Sequence, residues 1–154
     1  MVLLITGIMF GLKCILLAYI LGFSAGEYGK IQVKECGDGE LPLTDVTGEN
    51  CDEDECVAFA GDRFLIHFSG RNPENQTVYV SVYASVQSTD SPGDSFVHWS
   101  TCRDDWTGYP CTVPRNQGME GMIGLPFSDS FEGTAHVRLH VQQIGCAAFS
   151  VRVA

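Results

Sequence analysis

The sequence predicts an all-β protein, an immunoglobulin-like antiparallel β-sandwich, and three observations lead to this fold class. Residues 27–154 show no helical periodicity of useful length. They contain short runs in which apolar and polar residues alternate, which is the period of a strand with one buried face. Gly, Pro, Asn and Asp separate these runs and favour turns between them. Roughly seven short strands separated by turns are typical of a sandwich of this size.

The candidate strands follow one another along a single domain that has no internal repeat. In chain order they cover residues 30–36, 41–47, 63–69, 77–86, 135–143 and 147–153. Alternation assigns one side of each run to the core, because successive side chains of a strand point to opposite faces. We expect one set of side chains to face the core, and we hypothesise that the same set lines a pocket for an apolar ligand. These residues are Phe64, Ile66, Phe68, Val80, Val82, Val137, Leu139, Val141 and Phe149.

The first 26 residues have the pattern of a secretory signal peptide. Lys13 is their only charge, an apolar run follows it, and the stretch ends in Ser-Ala-Gly. This order predicts cleavage after Gly26 and a mature domain at 27–154. A membrane anchor is the alternative, but a spanning helix needs about 20 apolar residues and Lys13 divides the stretch. The sequence leaves open whether translation starts at Met1 or at Met9.

The mature domain is acidic. All 19 Asp and Glu residues of the chain follow Gly26, whereas one of its 9 Lys and Arg residues, Lys13, precedes it. A surface of this sign repels phosphate backbones and anionic membranes, so we expect neither nucleic-acid binding nor stable membrane insertion. We expect a monomer that is secreted, or that resides in the lumen of a lysosome or endosome.

The cysteine content fits an oxidising compartment. Once Cys14 leaves with the signal peptide, the cysteines that remain are Cys36, Cys51, Cys56, Cys102, Cys111 and Cys146. An even number in a secreted chain indicates a disulfide framework, although spacing alone does not choose the pairing. Two pairs are close in sequence, namely Cys51 with Cys56 and Cys102 with Cys111.

The stretch CDEDEC, residues 51–56, raises a choice between a metal site and a disulfide loop. Zinc bound by cysteine usually has four converging Cys or His ligands, and this stretch offers only two. A calcium loop uses spaced oxygen ligands and a glycine at its sharp turn, and the stretch has no glycine. We therefore expect a disulfide loop with solvated acidic residues, and neither a metal nor a cofactor.

Two short motifs have the form of catalytic or metal sites, but their surroundings favour neither reading. His136 and His140 would share one face of a helix. The residues around them alternate as in a strand, where four residues span about 13 Å, so the two histidines are expected to be outward and solvated. Gly93-Asp94-Ser95 matches the nucleophile loop of chymotrypsin-like proteases over three residues only. Because no preorganised acid–base pair is evident, we do not expect an enzyme.

Aromatic and apolar residues are unusually frequent in the stretches between the candidate core strands. These residues are Phe96, Trp99, Trp106, Tyr109, Met119, Met122, Leu125, Phe127 and Phe131. Connecting segments are ordinarily more polar. Either these side chains cap the core, or they line an apolar pocket between the two sheets. In the second case Phe96, Phe127 and Phe131 shape its mouth.

A glycosylation sequon, Asn75-Gln76-Thr77, lies at a turn before a candidate strand. The side-chain amide of such an asparagine accepts a glycan in the secretory pathway, to which a signal peptide would direct the chain. We therefore predict a glycan on Asn75.

Several groups of residues together resemble the ML lipid-recognition domain family. They are Val33-Lys34-Glu35-Cys36-Gly37 with the later pair Cys51 and Cys56, Gly61-Asp62-Arg63-Phe64, Tyr109-Pro110-Cys111-Thr112-Val113, and Cys146 before the last alternating run. With six cysteines in this order, the resemblance covers residues 30–154. It implies an immunoglobulin-like β-sandwich with a hydrophobic cavity between its sheets, and no enzymatic activity.

The resemblance also implies a disulfide pairing and a pocket mouth. The implied pairs are Cys36–Cys146, Cys51–Cys56 and Cys102–Cys111. In the sterol-carrying members, a Leu-Pro-apolar stretch followed by an aromatic residue lies at the mouth, and the segment from Leu125 to Phe131 resembles that form. Phe96 matches a pocket aromatic before the fourth cysteine. The chain departs from the family form at Glu132, where those members have proline.

The expected function is binding and transfer of a lipid, a sterol or another small apolar ligand held between the sheets. The alternative is a secreted interaction protein of the same fold, such as an innate-immune recognition protein, that acts through a receptor or another protein partner. A co-purifying lipid would favour the first function. A tightly packed interior with an exposed apolar patch would favour the second. The sequence leaves the identity of the lipid open.

Overall fold

The computed structural model describes residues 28–37, 39–52, 54–102 and 108–154. The predicted signal peptide and Trp106 lie outside these residues. Within them no helix is long and apolar enough to span a membrane. A short 3₁₀ helix covers Pro92–Asp94. The strands are β1 Tyr28–Lys30, β2 Asp45–Glu49, β3 Val57–Ala58, β4 Arg63–Arg71, β5 Val78–Tyr79, β6 Val82–Ser88, β7 Phe96–Ser100, β8 Thr112–Val113, β9 Gly118–Pro126, β10 Gly133–Val141 and β11 Gly145–Val153.

These strands form two sheets that enclose one core. The four-stranded sheet has the order β1-β2-β4-β9, and the five-stranded sheet has the order β3-β11-β10-β6-β7. The small strands β5 and β8 pair with each other. Paired strands are antiparallel except for β3, which runs parallel to β11. The predicted fold class, an all-β sandwich, is confirmed.

The inner face of the five-stranded sheet is made by alternate residues of its central strands. Val137 of β10 lies between Val86 of β6 and Phe149 of β11. The next row is centred on Leu139, which is fully buried. Branched and aromatic side chains pack well on such a pleated, half-buried surface, which is why these sequences form strands.

The facing side of the four-stranded sheet supplies larger side chains. Phe64 and Ile66 of β4 point inward beside Leu125 and Ile123 of β9. None of these four side chains is more than 3% exposed. Burying a Phe, Ile or Leu side chain stabilises the fold by about 1.5 to 3 kcal/mol, so these inner faces hold the two layers together.

One edge of the sandwich, which we call the closed edge, is bridged by the backbone of residues 31–34. The amide of Ile31 donates to the carbonyl of Val46 in the four-stranded sheet, at 2.9 Å. Lys34 and Ala148 of the five-stranded sheet exchange two backbone hydrogen bonds, at 2.7 and 3.1 Å. The segment therefore crosses from one sheet to the other.

Residues 41–44 cross the same edge a second time. The amide of Cys146 donates to the carbonyl of Leu41 at 2.8 Å, and the amide of Leu43 donates to the carbonyl of Cys146 at 3.2 Å. The amide of Thr44, at the end of this segment, donates to the carbonyl of Ser69 in β4, at 2.9 Å. These bonds fasten the closed edge to both sheets.

The crossings explain where the predicted strand boundaries near the N-terminus are wrong. Of residues 30–36, only Lys30 lies in a strand, and residues 41–47 become strand only from Asp45. Residues 31–36 pass over the rim of the core with only Ile31 buried, so the apolar and polar alternation of their sequence does not mark a strand with one buried face. The run 77–86 is also divided, because β5 pairs with β8 whereas β6 pairs with β7 and β10.

The sequence analysis also missed four strands, the two-residue strands β3 and β8 and the longer strands β7 and β9. It placed Phe96 and Trp99, which lie in β7, and Leu125, which lies in β9, in connections between strands. In β9 the glycines were the obstacle, since glycine is depleted in strands and common in turns. Gly121 is required by packing, because a Cβ there would collide with the ring of Phe68 on the neighbouring strand.

Candidate functional site

The predicted wall residues lie together in the core, and all of them except Val80 belong to the facing sides of the two sheets. Their relative exposure is at most 7%, a value reached only by Val80. All belong to one continuous cluster of buried side chains. The structure therefore brings the predicted wall together, as a closely packed apolar interior.

Phe96, Phe127 and Phe131 form a line of edge-to-face ring contacts. The ring centroids of Phe96 and Phe127 are 6.1 Å apart, and those of Phe127 and Phe131 are 5.0 Å apart. Phe96 is partly buried, whereas Phe127 and Phe131 are 3% and 1% exposed. The line leads from the surface into the core, and Phe131 lies at its inner end.

The segment after β9 holds two of these rings in place. Leu125, predicted at the mouth, is fully buried beside Phe64. The amide of Phe127 donates to the carbonyl of Asp62 at 3.1 Å, which fixes the segment against the start of β4. The amide of Phe131 closes a turn through a 3.0 Å hydrogen bond to the carbonyl three residues earlier.

The rings lie at the second edge of the sandwich, between β7 and β9, which we call the β7–β9 edge. At its other end the hydroxyl of Tyr109 donates to the carbonyl of Ser100 in β7, at 2.6 Å. The amide of Met122 in β9 donates to the carbonyl of Gly108, at 2.9 Å. Tyr109 is itself buried. Its phenol fixes residues 108–109 against β7, and the carbonyl of Gly108 fixes them against β9.

One polar side chain at this edge escaped the sequence analysis. His98 lies on β7 two residues after Phe96, and both side chains are partly buried. The register places His98 opposite Ala84, an inward residue of β6. The signal in the sequence was the alternation of Phe96, His98 and Ser100, but it was not recognised because β7 itself was missed.

No protein-family model and no curated protein match the sequence. Solved structures do match. A Niemann–Pick type C2 protein from Japanese carpenter ant superposes with a TM-score of 0.61 at 14% sequence identity. The match covers 80% of this chain and 99% of the ant protein. The fold is that of a Niemann–Pick type C2 protein. An alkylpurine DNA glycosylase from Pseudomonas fluorescens reaches a TM-score of 0.44 over 28% of its chain.

The Niemann–Pick type C2 fold is the one that the resemblance to ML domains implied, and that expectation is confirmed. The disulfides agree with it as well. The structure pairs Cys36 with Cys146, Cys51 with Cys56, and Cys102 with Cys111. The first of these bonds lies at the closed edge, where Cys146 also takes part in the second backbone crossing.

In this Niemann–Pick type C2 fold, the CDEDEC stretch is a short loop closed by its own disulfide. A carboxylate oxygen of Asp52 accepts hydrogen bonds from the backbone amides of Glu55 and Asp54, at 2.8 and 2.9 Å. These amides hold the pKa of Asp52 below its ordinary value. The guanidinium of Arg152 donates to both carboxylate oxygens of Glu55, at 2.7 and 3.2 Å, and this hydrogen bonding lowers the pKa of Glu55.

A group of metal-ligand atoms occurs at the closed edge, among the residues that the structure describes. Atoms of Cys36, Glu40 and Cys146 lie within 4.8 Å of one another. The two sulfurs are bonded to each other in a disulfide, and thiolates rather than disulfides bind zinc. The group therefore has the chemistry of a disulfide beside a carboxylate.

His136 and His140 both lie on β10, as the strand reading predicted. The ring of His136 is hydrogen-bonded to the hydroxyl of Ser150 at 2.9 Å. His140 is less solvated than expected, because its ring stacks on Tyr83 at 4.6 Å and its Nδ1 lies 3.1 Å from a carboxylate oxygen of Glu40. Its side chain is only 17% exposed, so the prediction of a solvated His140 is wrong.

The predicted glycosylation site lies on an ordered turn. Asn75 is exposed, as are both other residues of its sequon. The turn is held by Asn72, whose fully buried amide donates to the carbonyls of Gln76, Val113 and Pro114 at 2.9 to 3.1 Å.

The outer face of β7 carries an exposed apolar patch. Val97 and Trp99 are 55% and 63% exposed. The ring of Trp99 lies 4.7 Å from that of Tyr83 on the neighbouring strand. Outer positions of antiparallel sheets are usually polar, so these side chains are candidates for a contact surface.

Proposed function

We propose that the protein is a secreted, non-enzymatic carrier that binds a lipid, a sterol or a similar apolar molecule between its two sheets. The observation that carries this proposal is the line of Phe96, Phe127 and Phe131. It joins the surface at the β7–β9 edge to an interior walled by apolar side chains. Aromatic rings can turn aside to admit a ligand and still contribute apolar contact to it.

The driving force would be burial of ligand surface. Apolar area removed from water contributes about 25 cal/mol per Å², from which the ordering costs of association are subtracted. Because the wall side chains pack against one another, a ligand must push Phe127 and its neighbours apart. Binding is therefore expected to require local opening of the β7–β9 edge.

Two further observations support the proposal. The fold is that of a Niemann–Pick type C2 protein, and the ML domains that the sequence resembles bind lipids and sterols. Three disulfides persist in oxidising compartments, which fits secretion or a lysosomal or endosomal lumen. We propose accordingly that residues 1–26 are a signal peptide and that residues 27–154 form the mature, monomeric domain.

Probe binding by the delipidated protein tests the proposal. The secreted protein is extracted with solvent and titrated with the neutral dye Nile red, and unlabelled sterol or fatty acid is then used to displace the dye. Phe96→Ala should weaken uptake, because it removes the outer ring of the line. Val97→Ala is the matched control, since Val97 is the next residue of β7 but faces outward. Equal binding by both variants would contradict the role of the aromatic line in uptake, and no uptake by the wild-type protein would contradict a carrier function.

A second candidate is a secreted interaction protein, which is favoured by the patch of Val97, Trp99 and Tyr83 and by the close packing of the core. Its partner would be a receptor or another secreted protein that contributes apolar side chains. Native mass spectrometry of the secreted protein separates the two functions. A bound mass of lipid size that solvent removes supports the carrier. A stoichiometric polypeptide that is lost in Trp99→Ser, but kept in the control Tyr79→Ser, supports the interaction protein.

The proposal extends to a glycan on Asn75. Expression in a eukaryotic secretory host should give a product whose mass falls on glycosidase treatment. Asn75→Gln and Thr77→Ala should abolish that fall, whereas Thr77→Ser preserves the sequon and should keep it. A product of unmodified mass from the wild-type chain would contradict the proposal.

A further inference from the structure

The Cys36–Cys146 disulfide at the closed edge lies beside an imidazole. Nε2 of His140 lies 3.8 Å from Sγ of Cys146, and Nδ1 of the same ring lies 3.1 Å from a carboxylate oxygen of Glu40. A carboxylate, an imidazole and a sulfur therefore follow one another in a line of contacts. Enzymes with a cysteine nucleophile activate the sulfur with groups in this order. The carrier function proposed above makes no use of the arrangement.

Packing against three neighbours fixes the imidazole in this position. The strand register places Tyr83 of β6 on one side of His140 and Cys146 of β11 on the other. The rings of Tyr83 and His140 stack at 4.6 Å with 8° between their planes. Because the side chain of His140 is only 17% exposed, its two nitrogen atoms are directed at the carboxylate and at the sulfur rather than at water.

The two sulfurs of this disulfide differ in exposure, which decides where a thiol attacks. Cys36 is partly exposed, whereas Cys146 is 2% exposed. In thiol–disulfide exchange a thiolate attacks one sulfur, and the other sulfur leaves as a thiolate. Attack at Cys36 therefore makes Cys146 the leaving sulfur, and Cys146 is the one beside the imidazole. A neighbouring imidazolium stabilises a thiolate and lowers its pKa, and a thiol of lower pKa leaves faster.

We infer that the Cys36–Cys146 disulfide is a site of thiol–disulfide exchange with small-molecule thiols, in which His140 stabilises the departing sulfur. The incoming thiolate forms a bond to Sγ of Cys36, the bond between the two cysteines breaks, and its electron pair goes to Sγ of Cys146. The protonated imidazole pairs with this thiolate and can give it a proton. A second thiolate then attacks the mixed disulfide. The two small thiols leave as their oxidised dimer, and both cysteines are reduced.

The backbone around the site allows the disulfide to open and to close again. Lys34 and Ala148 exchange two hydrogen bonds, and Cys146 makes one each with Leu41 and Leu43. These bonds hold both crossing segments to β11 whether or not the sulfurs are joined, so the two cysteines stay near each other. Exchange at this site therefore removes the covalent tie of the closed edge without requiring the two sheets to separate.

The rate of opening in the folded protein tests the inference. The protein is incubated with 2-mercaptoethanol and quenched in acid. Free cysteines are then labelled with N-ethylmaleimide under denaturing conditions and located by peptide mapping. The Cys102–Cys111 disulfide is the internal reference, because both of its cysteines are partly exposed. The ratio of the two opening rates cancels any difference in thiol concentration between samples.

One substitution isolates the imidazole. His140→Phe keeps a ring against Tyr83 but removes both nitrogen atoms. It should slow the opening of Cys36–Cys146 about 10-fold relative to the reference, because the leaving sulfur loses its stabilising partner. His136→Phe is the matched control, since His136 lies on the same face of β10 but is hydrogen-bonded to Ser150. It should leave the ratio unchanged.

The position of the trapped adduct is a second readout, which needs no variant and decides the matter even if His140→Phe does not fold. In the wild-type protein, mercaptoethanol should be found on Cys36 and the maleimide on Cys146. The reverse pattern would overturn the assignment of the leaving sulfur.

Two other results would count against the site. An unchanged rate ratio in a natively folded His140→Phe overturns the role of the imidazole. Opening of Cys36–Cys146 at the rate of global unfolding, independent of thiol concentration, overturns exchange in the folded protein altogether. Neither result bears on the carrier function, which Nile red uptake tests separately.

Discussion

The two edges of the sandwich are held by different kinds of contact. At the closed edge, two crossing segments bond to both sheets through their backbones, and the Cys36–Cys146 disulfide joins the same region. At the β7–β9 edge, residues 108–109 are held by one backbone hydrogen bond from Met122 and by the Tyr109 hydroxyl, and the rings of Phe96 and Phe127 meet across the gap.

The difference indicates where the sandwich can open. An edge-to-face ring pair contributes about 0.5 to 1.5 kcal/mol beyond its buried area, and it can be broken by rotation of side chains. Breaking the closed edge requires several backbone hydrogen bonds to be lost and is opposed by the Cys36–Cys146 disulfide. We therefore expect a ligand to enter at the β7–β9 edge, while the closed edge acts as the fixed side.

The largest expected effect is the loss of the disulfide at the closed edge. The double variant Cys36→Ala/Cys146→Ala releases a loop with a sequence separation of 110 residues. In the chain-entropy account, its unfolding free energy should fall by about 4 to 5 kcal/mol. Urea unfolding of the secreted protein measures this change.

The disulfide beside the other edge provides the comparison. Cys102→Ala/Cys111→Ala opens a loop with a sequence separation of only 9 residues, so the same account gives a smaller loss, about 2.5 to 3 kcal/mol. If the two double variants lose the same unfolding free energy, the length of the loop that each disulfide closes does not explain the difference between the edges.

A loss of intermediate size is expected at the inner end of the aromatic line. Phe131 is 1% exposed, and Phe131→Ala should lower the unfolding free energy by about 3 to 5 kcal/mol, as truncations of buried aromatic residues do. Phe59→Ala is the control, since Phe59 is 51% exposed. If Phe131→Ala leaves stability unchanged, the ring belongs to the mouth, as the sequence alone suggested.

The fold class could be predicted from the sequence because, in the central strands, the apolar residues of the alternating pattern are the ones that are buried. For β4 and β10 the predicted core faces are those in the structure. Prediction failed for β9, where glycine is needed for contact with Phe68, a packing constraint that does not appear in a one-dimensional pattern. It failed also for residues 31–36, whose sequence alternates although they cross between the two sheets with only Ile31 buried.

Alternation of apolar and polar residues also predicted part of the candidate site. Inward residues such as Phe64 and Leu139 could be assigned from alternation alone. Phe96, Phe127 and Phe131 were expected at the mouth of a pocket, from the apolar connecting stretches and from the resemblance to a family. Their ring contacts and their depth were not predicted, since the burial of Phe131 depends on how the turn after β9 folds back. His98 was missed because its strand was read as a connection.

Loosening the β7–β9 edge should have a moderate effect. Tyr109→Phe keeps the buried ring but removes the donor to the carbonyl of Ser100, and one hydrogen bond contributes about 0.5 to 1.5 kcal/mol. The unfolding free energy should fall by that amount, and uptake of Nile red in a stopped-flow experiment should become faster. Tyr79→Phe is the control, because Tyr79 is 80% exposed. Slower uptake by Tyr109→Phe would place ligand entry elsewhere.

The smallest expected effect concerns an exposed ion pair beside the closed edge. Arg152 holds the pKa of Glu55 below its ordinary value mainly by hydrogen bonding to it. Because the folded-state pKa is lowered, the stability that the pair contributes is present above the ordinary pKa of glutamate, about 4.3, and is lost as the pH falls through the lower, folded-state value.

Arg152→Met should therefore raise the pKa of Glu55 in an NMR titration. The pKa of Asp52 in the same loop should stay low, because it is set by backbone amides that the substitution leaves in place. A joint rise of both pKa values would mean that Arg152 orders the whole loop, and that the loop is not held by its disulfide and the Asp52 hydrogen bonds alone.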